Sequence, residues 1–295
     1  MSPVIQCAGL RHSYGAKPVL NGIDLTVDGG GIFGLLGKNG AGKSTTINIL
    51  MGFLQPQAGQ CHVLGHPSHA IPPEVRRDIG LLHEGFVQYD FMTIDEIERF
   101  YAPFYPRWDR SVYDDLVGRL DVSRSQQISR LSCGQRSQVV LGLILAQNPR
   151  LMILDDYSMG LDVGYRRLFL EYLYDYVQMR GTTVLLTSHV VQELDRYIDK
   201  MVILQKGHVI ASCDKRDFSS SFKQYRMPRT EASDAIVAAG PLLNVERNPR
   251  SLSLYSYAPL AEVTAYLAAS GLPFETLETV EMSFEDAFIG LTGRY

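Results

Sequence analysis

Hydrophobic positions along the chain follow two alternating rhythms. Short apolar runs bounded by glycine predict strands at residues 4–8, 23–27, 32–36, 59–64, 79–82, 151–154, 182–187, 201–204 and 209–211. Between them, apolar positions at helical spacing predict helices at 43–53, 94–101, 110–120, 135–147, 163–179 and 190–197. Strands alternating with helices argue for an α/β core with a mostly parallel sheet, and the early hairpin-like strands argue for an extra antiparallel layer. Past residue 218 the rhythm changes. Ser219-Ser220-Ser221 reads as a hinge or turn, and after it come strand 222–227, helix 231–239, strands 243–246 and 251–257, helix 260–270 and strand 274–279. That βαββαβ order predicts a small ferredoxin-like α+β unit, closed by a short helix at 284–291. Two domains are therefore expected, 1–218 and 219–295.

Composition narrows the picture only a little. The net charge of -4 and pI near 6.0 give no global attraction to nucleic acid or anionic lipid. No apolar stretch reaches the 18 or so residues a membrane span needs, and the longest apolar-rich segment is 139–146. Any spanning part must come from a partner. The first ten residues lack a basic segment followed by a long apolar run, so no signal peptide is expected. Cys7, Cys61, Cys133 and Cys213 form no C-x-x-C pair. They predict neither a zinc site nor a disulfide framework, and read as scattered buried thiols of a reducing cytosol.

Chemistry is concentrated first at Gly37-Lys38-Asn39-Gly40-Ala41-Gly42-Lys43-Ser44. This is G-x-x-x-x-G-K-[ST] between an apolar strand and a helix-period run, the context that a phosphate-binding loop requires. Glycines allow tight turning, so successive backbone N–H groups converge on phosphate oxygens. The helix N-terminus adds unpaired donors and partial positive charge. Lys43 can reach the outer phosphates, the Ser44 hydroxyl can ligate Mg²⁺, and Thr45 can add phosphate contacts. Without a ligand the same segment would be a glycine-rich strand-to-helix turn.

Five further motifs follow in order: Ser13-Tyr14-Gly15, Leu131-Ser132-Cys133-Gly134-Gln135, Leu151-Met152-Ile153-Leu154-Asp155, Met159-Gly160-Leu161-Asp162 and Thr187-Ser188-His189. With the phosphate loop they make the chain, over roughly residues 4 to 215, resemble the nucleotide-binding subunit of an ABC transporter of the drug and ABC-2 export type. Alone, Tyr14 would be a turn tyrosine and LSCGQ a helix N-cap. The resemblance implies a P-loop cassette with a mixed sheet core, an antiparallel β layer, a helical subdomain at about 86–150 and a small α+β C-terminal domain. It implies that Tyr14 stacks on adenine and that Ser132, Gly134 and Gln135 complete the site of an opposite subunit. Asp155 would hold Mg²⁺, Asp162 would couple two sites, and His189 would contact the γ-phosphate. Two copies would then close head to tail around two Mg-ATP and drive an integral membrane permease subunit, at the cytoplasmic face of the cell membrane.

Two positions depart from that family's pattern. Glutamate is usual after the strand-end aspartate, and here Asp156 stands one methylene shorter. A general base must lie within hydrogen-bond reach of its proton. A retraction of more than about 1 Å can cost roughly a hundredfold in rate. Slow hydrolysis and normal hydrolysis after a small backbone adjustment are both open. In Ile79-Gly80-Leu81-Leu82-His83-Glu84, the resemblance places Glu84 where glutamine is usual, as a ligand to Mg²⁺ or water, with His83 the alternative register.

Aromatic residues follow at 86–91, then Phe100, Tyr101, Phe104, Tyr105 and Trp108. The first cluster suits a groove for a partner helix, while the second also suits a subdomain core. The ending, residues 284–294, is similar to L-E-D-V-F-L-x-L-T-G-R of drug-export ATPases. Two other functions compete with a transport ATPase. An ATP-gated regulatory module with negligible turnover is favoured by Asp156. A soluble ABC protein acting on ribosomes or DNA is disfavoured by the single compact cassette and the acidic pI, so no nucleic-acid partner is expected.

Overall fold

A computed structural model describes residues 3–83, 89–158, 160–188, 190–272, 274 and 276–294. The chain divides into two compact units, Met1–Ser212 and Cys213–Tyr295. The first contains β1 (Ile5–Tyr14), β2 (Lys17–Val27), β3 (Gly31–Gly37), α1 (Lys43–Leu50), β4 (Ala58–Val63), β5 (His66–Pro67), α2 (Pro73–Arg76) and β6 (Ile79–Leu82). It continues through α3 (Ile94–Tyr101), α4 (Arg110–Gly118), α5 (Cys133–Ala146), β7 (Leu151–Leu154), α6 (Val163–Arg180), β8 (Thr183–Ser188), α7 (Val191–Leu194), β9 (Lys200–Gln205) and β10 (His208–Asp214).

Two sheets form its body. One has the order β2-β1-β4-β5, the other β10-β9-β3-β8-β7-β6. In the second, β9, β3, β8, β7 and β6 run parallel. β3, β7 and β8 are buried almost throughout, which is why they read as unbroken apolar runs rather than alternating ones. β1 is antiparallel to β2 and β4 and turns alternate residues inward, with Ile5, Cys7 and His12 buried and Gln6 and Arg11 exposed. The core between the sheets takes Leu10, Leu25 and Val63 from the antiparallel layer, Ile47 and Leu50 from α1, and Leu35, Ile153 and Leu185 from the parallel strands.

A satellite core of Ile94, Ile97, Tyr113, Val117, Val139 and Leu143 holds α3, α4 and α5 together. The Tyr113 hydroxyl donates to Ile94 O at 2.8 Å, and the Trp108 indole N–H donates to Glu98 Oε1 at 2.9 Å. Tyr101 and Trp108 pack against this core. Phe91, Phe100 and Phe104 remain exposed, and Tyr89, Phe91, Phe100 and Phe104 touch ring to ring in series. Residues 84–88 lie outside the described residues.

The second unit carries α8 (Lys215–Ser221), β11 (Lys223–Pro228), β12 (Asn244–Arg247), β13 (Ser251–Ser256), α9 (Leu260–Ala269), β14 (Glu278–Val280) and α10 (Phe284–Thr292). Its sheet has the order β12-β13-β11-β14, antiparallel throughout. Three expectations differ here. Ser219-Ser220-Ser221 is not a hinge but the last turn of α8, where the Ser220 and Ser221 hydroxyls donate to Asp217 O. The expected helix 231–239 is only a 3-10 turn, Ala232–Ala235. Thr230 and Ser233 bond each other reciprocally through side chain and backbone N–H, the pattern of a helix start, but only a single turn follows. Arg247 also donates to the carbonyls of Asp234 and Ile236, which a continuing helix would need. The strand expected at 274–279 is reduced to Glu278–Val280.

Candidate functional site

The parallel sheet sets the site. β3, β8, β7 and β6 are neighbours in that order, so their C-terminal ends emerge side by side. Those ends carry Gly37 and the following loop, Ser188, Asp155 and Leu82. Crevices at the carboxyl ends of parallel strands are the usual ligand sites of α/β sheets.

The loop after β3 closes onto α1. Gly42 has φ +111, and a Cβ there would lie 2.6 Å from Leu20 Cδ2. Only glycine lets the backbone pass this close to β2 in that conformation. Gly42 caps α1 without any side-chain hydrogen bond, and α1 has no acidic residue in its first turn. Its leading amides thus face the loop without a carboxylate competitor, as an anion site requires. Lys38 is half-buried, Asn39 and Gly40 are exposed, and Ala41 is buried. The Lys43 ammonium donates to Gly37 O at 2.7 Å and Lys38 O at 3.1 Å, folded over the loop. Burial lowers its pKa, while the charges of Asp156 and Asp155 oppose that shift.

Asp155 is 2% exposed. Its Oδ1 accepts from the Thr187 hydroxyl at 2.9 Å and the Ser44 hydroxyl at 3.4 Å. Its Oδ2 is buried with no hydrogen-bond partner among the described residues. A buried carboxylate oxygen without a donor is costly. A hard divalent cation held between Asp155 Oδ2 and the exposed Ser44 hydroxyl fits this donor set. Asp156 follows with φ +46, a left-handed conformation that Asp tolerates better than most side chains. Its N–H donates to Thr187 Oγ1 at 2.9 Å, and Ser158 Oγ donates to its Oδ1 at 2.9 Å. The roles of Thr187 and Ser158 escaped the sequence reading. The signal for them is a small hydroxyl residue at the end of a buried strand or just beyond it.

Ser132, Gly134 and Gln135 form a second cluster. The Ser132 hydroxyl accepts from Gln135 N, and Gln135 Oε1 accepts from Ser132 N, a complete capping box on α5. Gly134 is buried beneath the Tyr165 ring, so closely that a Cβ would sit 2.2 Å from it. Asp162 caps α6 by accepting from Tyr165 N at 3.0 Å. Gln135 and Asp162 line one cleft of about 400 Å³. Tyr14 is 53% exposed at the end of β1, with its ring edge-on to buried His12. Thr45 is buried in α1. His83 Nε2 lies 3.3 Å from Asn48 Oδ1. Glu84, His189 and Met159 fall outside the described residues.

Comparison with known proteins gives a family. Residues 20–158 match the model described as "ABC transporter". The Nod factor export ATP-binding protein I of Rhizobium johnstonii is 33% identical over 312 aligned residues, covering 100% of this chain and 96% of that protein. Its namesake from Ralstonia nicotianae is 28% identical, covering 99% and 95%. Among solved structures, the ATP-binding subunit of an ABC transporter superposes with TM-score 0.65 at 29% identity, covering 74% of this chain and 92% of that one. A nucleotide-free ATP-binding cassette from an ABC transporter superposes at 0.62 with 21% identity, covering 74% and 94%, a likeness of fold alone.

Proposed function

The chain belongs to the ATP-binding proteins of the ABC transporter family, and from that membership we propose that it powers export by pairing with a second copy around Mg-ATP. The carrying observation is the gathering of the phosphate loop, Ser44 and the unpartnered Asp155 Oδ2 at neighbouring strand ends. The loop amides of 37–44 and Lys43 bind the triphosphate, with Thr45 behind them. Ser44 and Asp155 hold the cation, with Glu84 as a further oxygen. When bound, that cation supplies charge neutralisation and orientation of the phosphate oxygens. Tyr14 stacks on the base. Asp156 accepts the proton of the attacking water, with His189 beside the terminal phosphate. Ser132, Gly134 and Gln135, with Asp162, complete the partner copy's site. Positioning and electrostatics carry most of the chemistry.

Export is supported by the name of the Rhizobium johnstonii relative. No helix among the described residues is long and apolar enough to cross a membrane. The proposed partner is an integral membrane permease, at whose cytoplasmic side this chain works. The exposed rings Phe91, Phe100 and Phe104, linked through half-buried Tyr89, are the surface for it; Phe91 is 63% exposed. The second unit forms the accessory domain, and the strand order β12-β13-β11-β14 supports its ferredoxin-like character. Sedimentation of Asp156→Asn tests the pairing. A dimer with Mg-ATP and a monomer without it is expected, and a monomer in both conditions would remove the clamp. Asp156, short and in a left-handed backbone, favours one other reading, an ATP-gated module with negligible turnover. Steady-state phosphate release separates the two.

A further inference from the structure

Away from the nucleotide site, the fold brings together two thiols that sequence analysis left scattered. Cys7 on β1 lies directly opposite Cys61 on β4, and their sulfurs are 3.5 Å apart. Opposed residues of an antiparallel pair hold their Cα atoms about 4.5–5.5 Å apart, inside the window of roughly 4.4–6.8 Å that a disulfide spans. Both thiols are free, and no group of three or more His, Cys, Asp and Glu gathers into a metal site among the described residues. The two are not equivalent. Cys7 is 3% exposed; Cys61, at 6%, lines a cleft of about 450 Å³ with His62, Ser68 and His69. Cys7 Sγ–H donates to Cys61 Sγ. That bond, then burial, holds the Cys7 thiol above its ordinary value. The same bond holds Cys61 below its own, against burial and with help from Ser68. Cys61 is therefore the sulfur that a small solute in the cleft can reach, with Cys7 behind it.

We propose that Cys7 and Cys61 are a reversible thiol–disulfide pair, with Cys61 reacting with hydrogen peroxide and Cys7 resolving the product. Cys61 sulfur attacks one peroxide oxygen, the O–O bond breaks, and the departing hydroxide leaves as water with the proton of the thiol. Cys61 is then a sulfenic acid. Cys7 sulfur attacks Cys61 sulfur, the S–O bond breaks, and a second water leaves with the Cys7 proton. The two thiols lose two electrons in total and the peroxide is reduced to two waters. The bond closes a covalent ring over residues 7–61, which contains Tyr14 and the whole Gly37–Ser44 loop. The proposal stands independently of what that loop binds.

The test uses the full chain in its folded state, treated with hydrogen peroxide, then denatured, alkylated and mapped by mass spectrometry. The expected result is loss of two hydrogen atoms per chain in most molecules, located to a linked Cys7–Cys61 peptide and restored by dithiothreitol. Cys7→Ser should instead leave a Cys61 sulfenic acid that dimedone captures, and Cys61→Ser should give no link. Full alkylation of all four thiols after peroxide, linkage through Cys133 or Cys213, or sulfinic acid at Cys61 without linkage would each overturn it.

Discussion

Asp156 is held by three features at once: a left-handed backbone, an amide bonded to Thr187 Oγ1, and a carboxylate oxygen bonded by Ser158. Asparagine suits the same backbone region, so Asp156→Asn should keep the fold and remove only the proposed base. Its single-turnover hydrolysis should fall roughly 10²–10⁴-fold, the usual worth of a positioned general base, with nucleotide affinity unchanged. Ser158→Ala takes one hydrogen bond from the carboxylate without removing it, so kcat should fall while KM stays nearly constant. Equal rates for wild type and Asp156→Asn would show that another group takes the proton. What was legible from motif order at this scale was which residues to propose. The positive φ at 156 and the hydroxyl bridge through Thr187 were not, because they depend on β7 and β8 lying side by side.

Helix starts carry a double duty that single substitutions can divide. Ser132 caps α5, and replacing such a cap by alanine costs about 1 kcal/mol. Ser132→Asp keeps an equally good cap but sets a negative charge where the partner copy's phosphate is proposed to sit. Its melting temperature should match wild type while Mg-ATP no longer induces pairing; pairing at full strength would reduce Ser132 to a structural role. Asp109 caps α4 through Ser111 and also binds Arg180 at 2.6 Å. The Ser111 hydroxyl first, then Arg180, holds its carboxyl below the ordinary carboxylate value of 3.8. A depressed value means the charged form stabilises the fold above 3.8, and that contribution disappears as pH falls through the lower, folded value. Asp109→Asn should therefore lower the unfolding free energy obtained from urea denaturation at pH 7, by no more than about 1 kcal/mol for so exposed a pair. The gap should close as pH falls below 3.8; a gap independent of pH would contradict the charge argument. Elements with strong periodicity, such as α3 and β7, were legible to the residue. The helix expected at 231–239 is a single 3-10 turn, and the Asp234 and Ile236 carbonyls are met instead by Arg247 of the following strand.

At the scale of the whole molecule, local pattern could place every strand of the parallel sheet but not their order. It is the order β3-β8-β7-β6 that sets the phosphate loop beside Asp155. Nor could pattern pair Cys7 with Cys61, which meet only because β4 docks on β1. The domain boundary expected at 218 falls inside α8, where the apolar Phe218 anchors the second unit's aromatic cluster with Phe222, Tyr257 and Phe284. The central claim is that the strand-end cluster binds a nucleoside triphosphate with a divalent cation. Isothermal calorimetry of the full chain with Mg-ATP, set against Lys43→Ala, tests it most directly. Saturable heat in the wild type, weakened at least tenfold by the substitution and by chelating the magnesium, is the expected result. A folded wild-type protein giving no heat, or one that binds equally well with Lys43→Ala and without magnesium, would contradict it.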